Sequence, residues 1–405
     1  MGIWASKEPP PPMVLVPPLF DFPPLGARIR MLESSYNLLF GKLALKCLFE
    51  DYFDEARQYS TRILLKPLDD PHVDIIATFR WQSDVHDPHT FADLFVANTD
   101  PVLRIRSSAY YPKYGVGAFG IIPLISKRRV IPDDYGVMGL RYGSGNLSLG
   151  LTVTPFPKSD IFPRTAWLVS KYGRLTAGLQ YEPLYSTKDD SKLINPKDWS
   201  CAVGYGLGSG SPLSPSFNFG LELANSSQFV ASFYQHLVVQ RKVQNPFEEN
   251  DIIGITNYLD FGFELKTRLD DNSTTDKSPD STFQIAASWQ ANKNFLLKGK
   301  AGPRGSTLAL AFKSWWKPAF TFSISATNDH TAGNTSFGFG LRVENLREAS
   351  YERADPNFVM LTPSKEHVAE SLLWNDRKSQ FYQSDLSSGN FDGLPKELRP
   401  LGKIL

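Results

Sequence analysis

Cysteine is nearly absent: the 405 residues hold two, Cys47 and Cys201. Two thiols cannot build a disulfide framework or a four-thiolate zinc site, so each reads as an apolar filler. An excess of one charge is missing as well. With 43 Lys+Arg against 42 Asp+Glu the net charge is +1, which leaves no basic footprint for a phosphate backbone and no support for a nucleic-acid partner. No run reaches the roughly 18 to 20 apolar residues a spanning helix needs, a test that closed barrels escape. A secretory pattern is lacking, because the apolar run Met13 to Val16 is short and sits among Pro9 to Pro12, Pro17 and Pro18. No arginine precedes Arg28, which argues against an Arg-rich transit peptide. The opening Met1-Gly2-Ile3-Trp4-Ala5-Ser6 does fit the pattern for myristoylation at Gly2.

What is present changes character along the chain. Residues 1–24 are a Pro-rich arm, extended because proline fixes φ and removes donors. Within residues 25–35, Leu25 to Glu33 predicts a short amphipathic helix with Leu25, Ile29 and Leu32 on one face, too short to stand alone. From Tyr36 to Glu344 the period is two. Leu147, Leu149, Leu151 and Val153 oppose Ser148, Gly150 and Thr152; Phe261, Phe263 and Leu265 oppose Asp260, Gly262, Glu264 and Lys266. Counting such segments predicts about 19 antiparallel strands at roughly 16 residues per strand and turn. No intervening helical pattern allows a βαβ arrangement. Residues 345–405 lose the alternation and read as a charged soluble tail.

Alternation alone also describes a soluble sandwich. Three features favour a transmembrane antiparallel β-barrel: an all-β chain whose second face is rich in Ser, Thr, Gly and Gln; aromatics near strand ends at Trp81, Tyr142, Trp167, Tyr172, Tyr181, Trp199 and Trp289; and many hairpin-spaced strands that need one closed sheet.

The stretch Leu25-Gly26-Ala27-Arg28 through Tyr36-Asn37-Leu38-Leu39-Phe40-Gly41-Lys42-Leu43-Ala44-Leu45-Lys46 resembles the N-terminus of mitochondrial porins, the voltage-dependent anion channels, where a short helix precedes a first strand of this pattern. The last strand resembles the sorting signal of mitochondrial outer-membrane barrels, carried here by Ser336, Gly338, Leu341 and Val343. A strand number of 19 is already known for that family. The resemblance implies a plant-type, porin-like protein of the outer mitochondrial membrane, delivered by the barrel-assembly machinery. The arm and the long tail depart from the family, which puts an open pore in question.

Other motifs reduce to simpler readings. Gly115, Gly117 and Gly120 match G-x-G-x-x-G, but Ile121, Ile122 and Pro123 follow where a dinucleotide site needs a helix. His72, Asp84, His86, Asp87 and His89 lie near Pro71 and Pro88 and read as solvated loops, not a metal site. The pairs Asp133/Asp134, Glu248/Glu249 and Asp270/Asp271 sit in turn-rich segments, and Ser209 and Ser211 lack a nucleophile elbow. The expectation is therefore no enzyme, no cofactor and no metal.

The polar face carries Lys42, Lys46, Arg80, Arg104, Arg106, Lys266, Lys298, Lys300, Lys313 and Arg342 against Asp74, Glu182, Glu222, Asp260 and Glu264. If that face lines a lumen, the cationic excess favours anionic metabolites; the resemblance places the helix inside, which adds Arg28 and Arg30. The expected function is a passive pore for small, mostly anionic solutes in the outer mitochondrial membrane, or the chloroplast outer envelope, with the tail available to a protein partner. The alternatives are a plugged barrel acting as a scaffold and a soluble carbohydrate-active β protein.

Overall fold

A computed structural model describes residues 13–14, 31–40, 59–65, 73–81, 90–98, 102–111, 113–125, 136–144, 146–154, 164–183, 198–207, 215–244, 251–268, 281–314 and 319–344. The Gly2 motif, the tail, the loop histidines, the carboxylate pairs and the Ser209 motif fall outside them.

The period-two segments become strands of one sheet. A two-residue piece, β1 (Met13–Val14), pairs in parallel with Gly254 and Ile255. The wall proper begins with β2 (Tyr59–Leu65), β3 (Val73–Trp81), β4 (Phe91–Ala97), β5 (Leu103–Tyr111), β6 (Val116–Ile125) and β7 (Val137–Gly143). It continues through β8 (Leu147–Val153), β9 (Thr165–Tyr172), β10 (Leu175–Tyr181), β11 (Trp199–Leu207), β12 (Ser216–Ala224) and β13 (Gln228–Gln244). It ends with β14 (Asp251–Arg268), β15 (Ser281–Gln290), β16 (Phe295–Ala301), β17 (Gly305–Lys313), β18 (Ala319–Asp329) and β19 (Thr335–Glu344).

Each strand from β2 to β19 pairs antiparallel with the next, and β19 returns to β2 through Leu341↔Ile63 and Arg342↔Arg62. Among the described residues the ring is therefore closed and has eighteen strands, β2 through β19. Closure removes the free edges that lipid cannot tolerate. Tight hairpins set the register: Tyr172 pairs with Leu175 across a two-residue turn in which Gly173 takes φ +60, a conformation other side chains resist.

Burial runs inside out relative to a soluble protein. Phe79, Trp81, Leu140 and Phe337 are more than 60% exposed, whereas Ser148, Gln180, Asp260 and Gln290 are buried. An apolar belt of this extent around a polar interior is the signature of a wall facing hydrocarbon. The ring thus forms a transmembrane antiparallel β-barrel.

Two expectations change at the N-terminal side. Residues 31–33 are turns and a bend, and the described helix is α1 (Ser35–Leu39), which lies just beyond the predicted end at Glu33. Ser34 caps it, its Oγ accepting from the Asn37 N–H at 3.2 Å. Tyr36, expected to open the first strand, lies in this helix, and the first described wall strand is β2. The sequence supports both periods here, since Tyr36, Leu38 and Phe40 alternate while Tyr36, Leu39 and Phe40 fall on one helical face. Packing decides: the Tyr36 and Phe40 rings meet at 5.0 Å, tilted by 48°, and both are buried. Residues 25–30 and 41–58 lie outside the description.

Of the predicted interfacial aromatics, Trp81, Tyr172 and Trp289 do lie exposed on the outer wall. Tyr181 and Trp199 face each other across β10 and β11 at 5.2 Å. Trp167 is the correction: it shares a face with Gln180 and Gly150, and is buried in the lumen, where Gly150 leaves room for its ring.

Candidate functional site: the barrel lumen

The pleat sends every second residue of each strand inward, and eight predicted cations land there. Arg80, Arg104, Arg106, Lys266, Lys298, Lys300, Lys313 and Arg342 share the face opposite the lipid-facing Phe79, Ile105, Leu265, Leu297, Leu310 and Leu341. Arg28, Arg30, Lys42 and Lys46 lie outside the described residues. Ser336 and Gly338 point inward and Leu341 and Val343 outward, as alternation requires. Glu222, Asp260 and Glu264 are buried on the inner face, while Glu182 is exposed just beyond β10. The motif Gly115 to Gly120 enters strand β6, not a helix.

Three further inner-face residues were not anticipated: Arg141, Asp93 and His236. Arg141 organises one wall. Its Nη2 donates to Ser35 Oγ at 2.8 Å, and its Nη1 donates to the carbonyls of Met31 at 3.1 Å and Glu33 at 3.4 Å. The same segment is fastened at four more points. Ser35 Oγ meets Ser148 Oγ at 2.8 Å, Ser34 Oγ donates to Gln180 Oε1 at 2.9 Å, Tyr36 donates to Glu222 Oε1 at 3.1 Å, and Asn218 Nδ2 donates to the Leu39 carbonyl at 3.3 Å. Residues 31–40 are thereby bound to β7, β8, β10 and β12. Burial and the neighbouring Glu222 carboxylate push the Tyr36 hydroxyl above its ordinary range, so it stays a neutral donor.

Apolar packing completes the attachment. Tyr36 and Phe40 join Phe119, Trp167, Val169 and Ala202 in a buried cluster, with Leu32 and Leu39 against it. Glycine makes this approach possible: a methyl on Gly178 would overlap the Phe40 ring and lie 3.0 Å from Tyr36 Cδ2.

The ring places β19 nine strands from β10 in either direction, so the wall facing α1 is the one around β16 to β5. That wall is cationic. Arg80 and Arg106 grip Asp93 from both sides, with Arg80 Nη2 to Oδ2 at 2.8 Å and Arg106 Nε to Oδ1 at 2.7 Å. The two guanidiniums lie over Phe91 and Phe95 at 4.1 and 4.5 Å, a cation–π arrangement that holds them flat. Among the described residues, one carboxylate is thus shared by two guanidiniums. Lys298, Lys313 and Arg342 extend the arc and are buried. On β14, Lys266 is paired with Glu264. Between the two walls, Asp260 Oδ1 accepts from Tyr234 at 2.8 Å and meets His236 Nδ1 at 2.6 Å, with His236 stacked on Tyr258.

No protein-family model matches the chain, and no curated protein matches it either. Among solved structures it is similar to engineered variants of the porin of Rhodopseudomonas blastica. Two of them align at 8% identity and a TM-score of 0.39, over 71% of this chain and 99% of theirs. The barrel assignment itself stands on the closed strand ladder and the inverted burial described above.

Proposed function

We propose that the protein is a passive, porin-like channel whose polar lumen carries small, mostly anionic metabolites across an outer organellar membrane. One observation supports this most: a closed ring of eighteen strands, apolar outside and charge-bearing inside, encloses a polar path. The path runs between the fastened segment 31–40 and the cationic arc, so permeants meet clustered positive charge on one side and the hydrogen-bonded surface around Arg141 and Glu222 on the other. Field effects of that kind select anions without binding them tightly. Passive diffusion needs no catalytic group and no cofactor, so we read the protein as a non-enzyme. The outer mitochondrial membrane is the proposed location, on the strength of the Ser336 and Gly338 pattern in the last strand, with the chloroplast outer envelope as the alternative. Import of the radiolabelled chain into purified mitochondria and chloroplasts separates them. The barrel-assembly machinery would be its insertion partner, and the tail is free to recruit a protein.

A second reading has its own observation. Lys298, Lys313, Arg342 and Gln290 point inward yet are buried, which favours a lumen closed along that wall and a barrel serving as a scaffold. Reconstitution into planar bilayers tests both. Stepwise currents whose reversal potential in a KCl gradient lies toward chloride support the anion pore; an inserted but silent barrel overturns it in favour of the scaffold.

A further inference from the structure

The outer wall carries a hollow that a uniform lipid-facing surface would not need. Successive rungs of the ladder define it. One rung reads Phe261↔Ala287↔Gly299↔Leu308↔Ala326, and the next reads Phe263↔Ile285↔Ala301↔Ser306↔Asn328↔Thr335. Small residues at Ala287, Gly299 and Ala301 leave an apolar groove of about 650 Å³, within the roughly 300–1,000 Å³ of small-molecule sites. Phe261 and Phe263 form one bank, backed by Phe233 at 6.0 and 5.4 Å. The rung Leu259↔Trp289↔Leu297↔Leu310 closes the groove toward the other mouth of the barrel.

Toward the near mouth the wall changes chemistry in sequence. Past the apolar floor come Ser306, Asn328 and Thr335, then the turns carrying Arg304 and His330. His330 Nε2 lies 3.3 Å from Ser306 Oγ, and its N–H donates to the Arg304 carbonyl at 3.0 Å; both residues are exposed. Among the described residues the acid beside them is Asp329, whose Oδ1 accepts from the Thr331 hydroxyl and from the N–H groups of Thr331 and Ala332. Apolar slot, hydroxyl and amide rung, then the exposed Arg304 guanidinium beside the His330 ring: that order matches acyl chain, ester region and anionic headgroup.

The geometry points to a phospholipid site, in which one acyl chain of an anionic lipid fills the groove between β14 and β18 and its phosphate meets Arg304 and His330. A basic residue close to an anionic membrane surface contributes about a five-fold factor in binding, so losing Arg304 should weaken retention about five-fold. The site does not depend on whether the lumen conducts, and its test uses no current.

The full chain in nanodiscs of phosphatidylcholine doped with phosphatidylglycerol, released for native mass spectrometry, gives the readout. One retained phosphatidylglycerol per barrel is expected. Gly299→Leu should abolish it by filling the slot, and Arg304→Gln, in an exposed turn that does not threaten folding, should cut it about five-fold while retained phosphatidylcholine stays unchanged. Retention that survives both substitutions, no retained lipid at all, or barrel dimers seated in place of lipid would each overturn the assignment.

Discussion

Replacing Arg141 by methionine removes the guanidinium that ties residues 31–35 to the wall while keeping an unbranched stem beside Gly117, whose added Cβ would stand 3.3 Å from Arg141 Cγ. Two short hydrogen bonds disappear, to Ser35 Oγ at 2.8 Å and to the Met31 carbonyl at 3.1 Å, together with the longer one to Glu33. A hydrogen bond to a charged group contributes about 1.5–3 kcal/mol; allowing for non-additivity and for water replacing the lost donor, the segment should lose about 2–4 kcal/mol of attachment. At about 1.4 kcal/mol per factor of ten, its detached population should rise roughly thirty- to several-hundred-fold. The amide of Phe40 reports on this directly, because it closes the helical turn on the Tyr36 carbonyl at 3.0 Å. Hydrogen exchange in nanodiscs should therefore show Arg141→Met losing protection at Phe40 and keeping it at wall amides such as Gly220. Unchanged protection at Phe40, or equal loss around the whole wall, would refute the assignment of Arg141 as the anchor.

Four further outcomes follow from the same geometry. Gly178→Val should displace the Phe40 ring and cost about 1–3 kcal/mol of docking by overpacking, seen as the same local loss of protection, whereas Gly173→Asn in an open turn should leave Phe40 unaffected. Asp93→Asn takes the shared carboxylate from Arg80 and Arg106; bilayer reversal potentials should move further toward chloride, and a move toward potassium contradicts the charge assignment. Because the Tyr36 pKa is raised above its ordinary 10.0, its contribution is fully present below pH 10 and is lost above it, as the detached tyrosine ionises first. Phe40 exchange protection, corrected for intrinsic rate, should stay flat from neutral pH to that point in the wild type, and a fall near neutral pH would contradict it. Cys201 is exposed, in register with Leu179 and Leu223 on the outer wall, so a nitroxide there in a Cys47→Ser background should be relaxed by oxygen and shielded from a water-soluble nickel chelate.

Much of the wall was legible in the sequence because one face of most strands is uniformly apolar. Where Phe283, Ile285 and Trp289 alternate with Gln284, Ser288 and Gln290, parity fixes which side chains point inward, and all eight described cations obey it. The signal fails where lumen packing is itself apolar. In β4 the inward set is Phe91, Asp93, Phe95 and Ala97, against outward Ala92, Leu94 and Val96, so neither face looks polar and Asp93 is hidden. The same cause misplaces Trp167, drawn inward with Val169 to meet Tyr36 and Phe40. Arg141 lay within reach, alternating with Gly139 and Gly143, but only its carbonyl partners at residues 31 and 33 show why it is there. Those contacts span more than a hundred residues, a distance no periodicity records.

An even number of strands has a consequence for geography. A chain that crosses a wall eighteen times finishes on the side where it started, and the pairing of Ser60 with Glu344 puts both ends of the ring at one mouth. One additional strand would have sent them to opposite compartments. The wall is therefore entered at Tyr59 and left at Glu344 on one side, so a single mouth of the barrel carries both junctions.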